Sequence, residues 1–152
     1  VLGNGAALEH AAQHLRRAPA LSVGAHLDLV AGAPVARGRR TIVGPDGNFL
    51  GLEAFARALK KGRVDRHEVQ VETAAQIDRL LGHRMTVAHL DSIGHVHVRA
   101  LIRDAVAKVC RTYRVRILRI PEDPGDPALL SDCRRARIVY RHYGGFGPVS
   151  YR

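Results

Sequence analysis

The chain has 152 residues, of which 46% are hydrophobic, and 24 Lys and Arg against 14 Asp and Glu give a net charge of +10. This length suits a single domain, and no apolar run approaches the ~20 residues that cross a bilayer. The first residues resemble neither a signal peptide nor a transit peptide. We therefore expect a soluble protein of the cytoplasm or an organelle matrix, with no membrane partner.

The first half of the chain alternates between helical and strand patterns. Residues 6–17 carry an apolar stripe at three- and four-residue steps, which predicts a helix, and residues 21–29 indicate a strand. Residues 31–48 are rich in Gly and Pro and predict a loop. A short helix is expected over 52–59. A longer helix is expected to run from a capping box of Asp65 and Glu68 to Gly82.

The second half continues the alternation. Residues 85–90 predict a buried strand, residues 100–112 an amphipathic helix and residues 115–120 another strand. Strands that alternate with helices favour an α/β fold with a parallel sheet. Residues 122–152 are rich in turn-forming residues, so we expect a loosely structured C-terminal segment there.

A short stretch, residues 89–97, concentrates groups that can bind metals or transfer protons. Its sequence, His-Leu-Asp-Ser-Ile-Gly-His-Val-His, holds three imidazoles and one carboxylate. In an extended chain alternate side chains share a face. One face would then hold His89, Asp91, Ile93, His95 and His97. A His-x-His pair on such a face can bind zinc, but Ile93 can neither bind a metal nor move a proton.

A second polar pair, His26 and Asp28, lies at the end of the first predicted strand. In parallel α/β sheets, sites collect at the carboxyl ends of the strands. The histidine stretch also follows a predicted strand directly. We therefore expect the two clusters to contribute to one shared site.

Basic residues concentrate between positions 99 and 119 and predict a positive face. The residues expected to contact anions or nucleic acid are Arg99, Arg103, Lys108, Arg111, Arg114 and Arg116. Aromatic residues make up only 5% of the chain, which disfavours base stacking and favours contacts with a phosphate backbone. RNA or protein partners are thus a hypothesis that rests on charge.

The two cysteines, Cys110 and Cys133, have no metal-binding spacing. Cys110 falls within an apolar helical pattern. We interpret both as buried structural thiols of a reducing compartment.

Several motifs stand in the order and spacing of a known family. They are Gly24-Ala25-His26-Leu27, Gly44-Pro45-Asp46-Gly47-Asn48-Phe49-Leu50, His89-Leu90-Asp91-Ser92, His95-Val96-His97 and Ile117-Leu118-Arg119-Ile120-Pro121. Through them the chain resembles the YdjC-like carbohydrate deacetylases, which include chitooligosaccharide deacetylases. The resemblance implies a partial, irregular TIM-barrel-like (β/α) fold of the polysaccharide-deacetylase type. It also implies a divalent metal that activates water to remove acetyl groups from N-acetylated sugars.

The resemblance assigns roles to individual positions. It makes His26 a metal ligand, and it places Ile93 where the family has another ligand, a histidine. His95 is the expected substitute ligand, with Asp91 and His97 as candidate catalytic residues. The expected surroundings of the site are Asp28, His89 and Ser92.

The resemblance also bears on the extent of the domain. The family's Asp-Asp motif, which supplies a further metal ligand, would precede Val1, and its His-Pro motif, which supplies a catalytic acid, would follow Arg152. We therefore expect one domain over residues 1–152 that is shorter than the members of the family.

Ile93 shapes the functional hypothesis, because loss of even a supporting residue costs about 10–100-fold in metal affinity or activity. We expect a catalytically impaired domain with a structural or binding role, holding no cofactor or a weakly bound zinc or magnesium ion. An RNA-rich assembly such as an organellar ribonucleoprotein is the setting that the charge favours. The alternatives are an active metal-dependent hydrolase and a sugar-binding module without chemistry.

Overall fold

The computed structural model describes residues 1–120 and 139–142. Its helices are α1 (Leu8–Arg16), α2 (Leu52–Lys60), α3 (Arg66–Gly82) and α4 (Ala100–Tyr113). Its strands are β1 (Val23–Leu27), β2 (Val87–Ser92), β3 (Ile117–Ile120) and β4 (Val139–His142). No described helix is long and apolar enough to cross a membrane.

The four strands form one sheet in the order β1-β2-β3-β4, with every neighbouring pair parallel. The predicted α/β class and parallel sheet are therefore confirmed. The expectation of a loosely structured segment over 122–152 is wrong for residues 139–142, which pair with β3. Val139 and Tyr140 are residue types that strands favour, but the strand has only four residues within a turn-rich segment and pairs with a partner distant in sequence. The other residues of that segment, with Cys133 among them, lie outside the described part of the chain.

The two faces of the sheet differ in polarity. Leu27, Leu90 and Leu118 are at most 2% exposed and belong to the hydrophobic core. The alternation of side chains along each strand turns His26 and Asp91 to the opposite face. Helix α3 contacts β1 and β2 and also packs against α4. Because helices cover the apolar face, the candidate site lies on the polar face.

The start of α3 differs from the predicted capping box. Asp65 caps the helix as expected, since its carboxylate accepts a hydrogen bond of 2.7 Å from the His67 amide. Glu68 instead accepts hydrogen bonds from the Arg40 amide at 3.0 Å and the Thr41 amide at 2.8 Å. Its carboxylate therefore fastens the long loop rather than the first turn of the helix.

Two further polar residues on the inner face of α3 hold the same loop. Glu72 is fully buried, and its carboxylate accepts hydrogen bonds from the Val35 amide at 2.9 Å and the Ala36 amide at 2.8 Å. Gln76 donates to Glu72 at 2.8 Å and accepts at 3.0 Å from the Asp28 amide. Burial raises the pKa of Glu72 above its usual value. Glu68, Glu72 and Gln76 follow one another at four-residue steps on α3, and together they position the loop that follows β1.

Cys110 lies in α4 and is 1% exposed. Burial raises the pKa of its thiol to about 12. The expectation of a buried thiol at this position is confirmed.

Candidate functional site

The polar residues of the candidate site lie on β1, β2 and β3. His26 and Asp91 are direct register partners across β1 and β2, and Leu27 pairs with Ser92. Because parallel strands end at the same edge of the sheet, His26 near the end of β1 and Asp91 near the end of β2 lie together. The structure therefore brings His26 and Asp91 into contact, as the sequence predicts for one shared site.

A carboxylate bridge joins three strands at this site. His26 Nδ1 is hydrogen-bonded to Asp91 Oδ1, and Arg119 Nη1 donates to Asp91 Oδ2 at 3.1 Å. The Asp91 side chain is 12% exposed, against 35% for His26 and 42% for Arg119. Burial raises the pKa of Asp91, but the hydrogen bonds and charges of His26 and Arg119 outweigh it. The pKa of Asp91 therefore lies below its usual value.

This bridge fixes the orientation of the His26 ring. Because Nδ1 of His26 is bound to Asp91, Nε2 is the ring nitrogen left for a metal ion or a sugar hydroxyl. A carboxylate that orients a ligating histidine in this way is a common support of metal sites. Since both oxygens of Asp91 are engaged, the geometry favours a positioning role for Asp91 over that of a proton acceptor.

His97 is fully buried, and both of its ring nitrogens are engaged. The Ser92 hydroxyl lies 2.6 Å from Nδ1, and Nε2 lies 2.7 Å from the carbonyl oxygen of Arg119. Because a carbonyl only accepts, Nε2 carries the proton and Nδ1 accepts from Ser92. Burial lowers the pKa of His97 to about 4. His97 therefore ties the end of β2 to β3 and has no ring nitrogen free for a metal ion.

The segment after Ser92 does not continue the strand. Residues Ile93–Val98 form a 3-10 helix with a kink, at which Gly94 and His95 have φ values of 59° and 50°. The positive φ of Gly94 favours glycine at this position. The predicted shared strand face is therefore wrong beyond Ser92. His95 is exposed.

The other predicted surroundings have structural partners. Asp28 is 3% exposed; its carboxylate accepts from the Val30 amide at 2.9 Å and from Asn4 Nδ2 at 3.1 Å. Ser92 bonds to His97 as described above. Asp28 therefore shapes the turn after β1. Arg119 was not among the site residues predicted from the sequence. The only sequence signal for it is its position in the Ile117-Leu118-Arg119-Ile120-Pro121 motif.

His89 packs over Gly24 on β1. A Cβ atom built on Gly24 would lie 2.1 Å from His89 Nε2, so the ring fills the space that a side chain would need. We predict that Gly24→Ala lowers the free energy of unfolding by about 1–3 kcal/mol, as in other overpacked sites, measured by urea unfolding. Gly82→Ala is the matched control, because a Cβ there meets nothing within 4 Å. Equal effects of the two changes would contradict the close packing at Gly24.

The divalent metal that the resemblance implies needs several side chains that converge on one point. Within the described residues, no group of three His, Cys, Asp or Glu side chains converges closely enough to hold a metal ion. His26 offers one nitrogen, while Asp91 and His97 are bound to neighbouring protein groups. The described residues by themselves therefore do not fit a complete metal centre.

The basic residues of α4 and its flanks divide into two groups. The exposed members are Arg99, Lys108, Arg111, Arg114 and Arg116. Arg103 is only 5% exposed and its Nη1 donates to the Val98 carbonyl at 3.3 Å, so it does not belong to an exposed anion-binding face. The net charge of the segment alone could not predict that Arg103 is buried.

Comparisons with known proteins agree with this fold and these motifs. The chain is 38% identical over 131 residues to a carbohydrate deacetylase of Homo sapiens, covering 82% of this chain and 40% of that protein. It is 34% identical over 113 residues to one of Halalkalibacterium halodurans, covering 74% of this chain and 47% of that protein. The chain thus spans less than half the length of these relatives.

A solved structure has a similar fold. It is the crystal structure of an Enterococcus faecalis protein described as a candidate cellobiose-phosphate cleavage protein, with a TM-score of 0.74 and 23% sequence identity. The match covers 90% of this chain and 53% of that one. The YdjC-like protein family matches residues 1–149. Because this match takes in nearly the whole sequence, the chain belongs to the YdjC-like protein family.

Proposed function

We propose that this chain is a catalytically impaired carbohydrate-deacetylase domain that binds N-acetylated sugar. The supporting observation is the polar sheet face, on which Asp91 orients His26 and pairs with Arg119. Such convergent charged and hydrogen-bonding groups suit the hydroxyl and amide groups of a sugar. The relatives named carbohydrate deacetylases support this class of ligand.

The ligand set supports the proposed impairment. Ile93 lies directly after β2, at the position where the resemblance places a histidine ligand, and it is half-buried against the core. An alkyl side chain gives no electron pair to a metal ion. With His26 as the one oriented donor among residues 1–120, we propose that zinc or magnesium is held weakly, and that the domain acts in binding or assembly rather than in turnover.

The parallel sheet also supports a proposal about architecture. We propose that β1 to β4 correspond to one part of an irregular TIM-barrel-like fold, in which the polar face turns inward. In such barrels the inward face near the carboxyl strand ends carries the site.

Introducing the missing ligand tests the proposed impairment. We predict that Ile93→His raises the affinity of the purified chain for Zn²⁺ at least about tenfold, measured by competition with a chromophoric chelator. Ile93→Leu is the matched control and should leave the affinity unchanged. Equal zinc affinity in wild type and Ile93→His would refute the assignment of position 93.

Sugar binding and turnover are measured in parallel. Calorimetry with N-acetylglucosamine oligomers should show binding by the wild-type chain, and an acetate assay should show no release. Asp91→Ala should weaken binding because it frees the His26 ring and leaves Arg119 without the carboxylate. Acetate release by the wild-type chain would instead support the alternative, an active metal-dependent hydrolase in which His95 or a part outside the described residues completes the site.

A second candidate function is association with RNA, favoured by the net charge of +10 and the exposed cations on α4. We propose an accessory role in an RNA-rich assembly, such as an organellar ribonucleoprotein, with RNA or protein partners. Binding of single-stranded RNA should weaken as salt rises, because phosphate contacts release counterions. Arg111→Gln with Arg114→Gln should weaken it further than Arg16→Gln with Arg17→Gln at the C-terminal end of α1, which removes the same charge. No binding even at low salt would exclude this role.

A further inference from the structure

We propose that His10 and His14, on the exposed side of α1, form a two-histidine site for a divalent transition-metal ion. Both residues are exposed, and neither belongs to the site around His26. Residues four apart in a helix lie above one another on the same face. The helix α1 therefore presents two imidazoles side by side to solvent.

The separation of the ring nitrogens matches a metal-binding pair. Nε2 of His10 and Nε2 of His14 are 3.1 Å apart. Two nitrogen ligands at about 2.0–2.1 Å from a tetrahedral zinc ion are themselves about 3.3–3.4 Å apart, which is close to this separation. Small ring rotations suffice to aim both lone pairs at one ion, because the two side chains are exposed.

Coordination requires only a change of tautomer. In the hydrogen-bonded pair, one ring donates its Nε2 proton to the lone pair of the other ring. When both neutral rings carry their proton on Nδ1, each offers an Nε2 lone pair to the metal. Exposed imidazoles exchange between these tautomers through water, so no proton is lost from the pair overall.

The chemistry of the donors indicates which ions the site takes. Imidazole suits Zn²⁺, Ni²⁺ and Cu²⁺, whereas Mg²⁺ and Ca²⁺ prefer oxygen ligands. Within the described residues no third His, Cys, Asp or Glu completes a cluster, so water or an external ligand fills the other positions. We expect Cu²⁺ to bind most tightly, as the general order of affinities requires.

A bound ion would also stabilise α1. The helix has nine residues, and its N-cap residue, Ala7, makes no side-chain hydrogen bond. Short helices without caps are marginally stable on their own. An ion that joins two successive turns favours the helical state by mass action. Amide hydrogen exchange in α1 should therefore slow when the metal is added.

The untagged chain is titrated with Zn²⁺ and Ni²⁺ by calorimetry, in a His26→Asn background that separates this site from the family site. We expect His10→Asn and His14→Asn each to weaken binding at least about tenfold. His67→Asn, a lone exposed histidine at the start of α3, is the matched control and should change the affinity by less than about twofold. Equal affinity of the His10→Asn/His14→Asn double variant and its parent would overturn the proposal. So would unchanged hydrogen exchange in α1 at saturating metal.

Discussion

Replacing Glu72 with Leu is expected to lower the free energy of unfolding by about 3 kcal/mol. The Glu72 carboxylate is fully buried and accepts hydrogen bonds from the amides of Val35 and Ala36. Without it, one buried Gln76 hydrogen and the half-buried amides of Val35 and Ala36 lose their acceptor, and a fully buried orphan costs about 1–3 kcal/mol. Removal of the buried charge offsets part of this loss, because burial already disfavours the ionised form.

Urea unfolding followed by circular dichroism measures this effect. The matched control is Glu53→Leu in α2, where the side chain is 90% exposed and pairs with Arg57 at 3.6 Å. Exposed pairs of this kind contribute about 1 kcal/mol or less. If Glu72→Leu were no more costly than Glu53→Leu, Glu72 would not fasten the loop.

Acidification is expected to destabilise the fold through His97 by about 3 kcal/mol between pH 6.5 and about 4. Burial keeps His97 neutral in the folded chain down to about pH 4, whereas an unfolded histidine takes up a proton below its ordinary pKa of 6.5. Between these values the unfolded state binds more protons. The free energy of unfolding therefore falls as the pH falls, by about 1.4 kcal/mol per unit.

The His97→Gln variant isolates this contribution from the carboxyl groups that titrate in the same range. Glutamine can still donate to the Arg119 carbonyl and accept from Ser92, but it does not titrate. We expect the variant to lose stability less steeply than wild type between pH 6.5 and 4.5. The exposed His67 is the control, and His67→Gln should retain the steep wild-type profile. Identical profiles for wild type and His97→Gln would mean that His97 is not held neutral by burial.

The sequence predicted those parts of the fold that have a local physical signature. The helix α3 was expected because Asp65 can cap it and apolar residues recur on one side, and it begins at Arg66. The pairing of β3 with β4 joins residues about 20 positions apart. Val139 and Tyr140 are residue types that strands favour, but four residues are too few for a clear alternation and their partner is distant in sequence, so β4 was missed.

The candidate site was predicted less completely than the fold. His26 and Asp91 were identified because polar groups at strand ends are costly without a use. The kink at Gly94 and His95 could not be foreseen from alternation, which assumes that the extended backbone continues past Ser92. Similarly, Glu68 looks like a capping residue in sequence, but its partners are amides of a loop 27 and 28 positions earlier.

The Asp91 bridge also has a consequence for how the sheet assembles. One carboxylate contacts His26 of β1 and Arg119 of β3, so it joins three successive strands. A slip of one residue between parallel strands turns every side chain to the opposite face. The carboxylate would then meet the apolar core, unpaired and at high cost. The bridge therefore penalises misaligned strand pairings, and the residues that would hold a ligand also select the correct alignment of the chain as it folds.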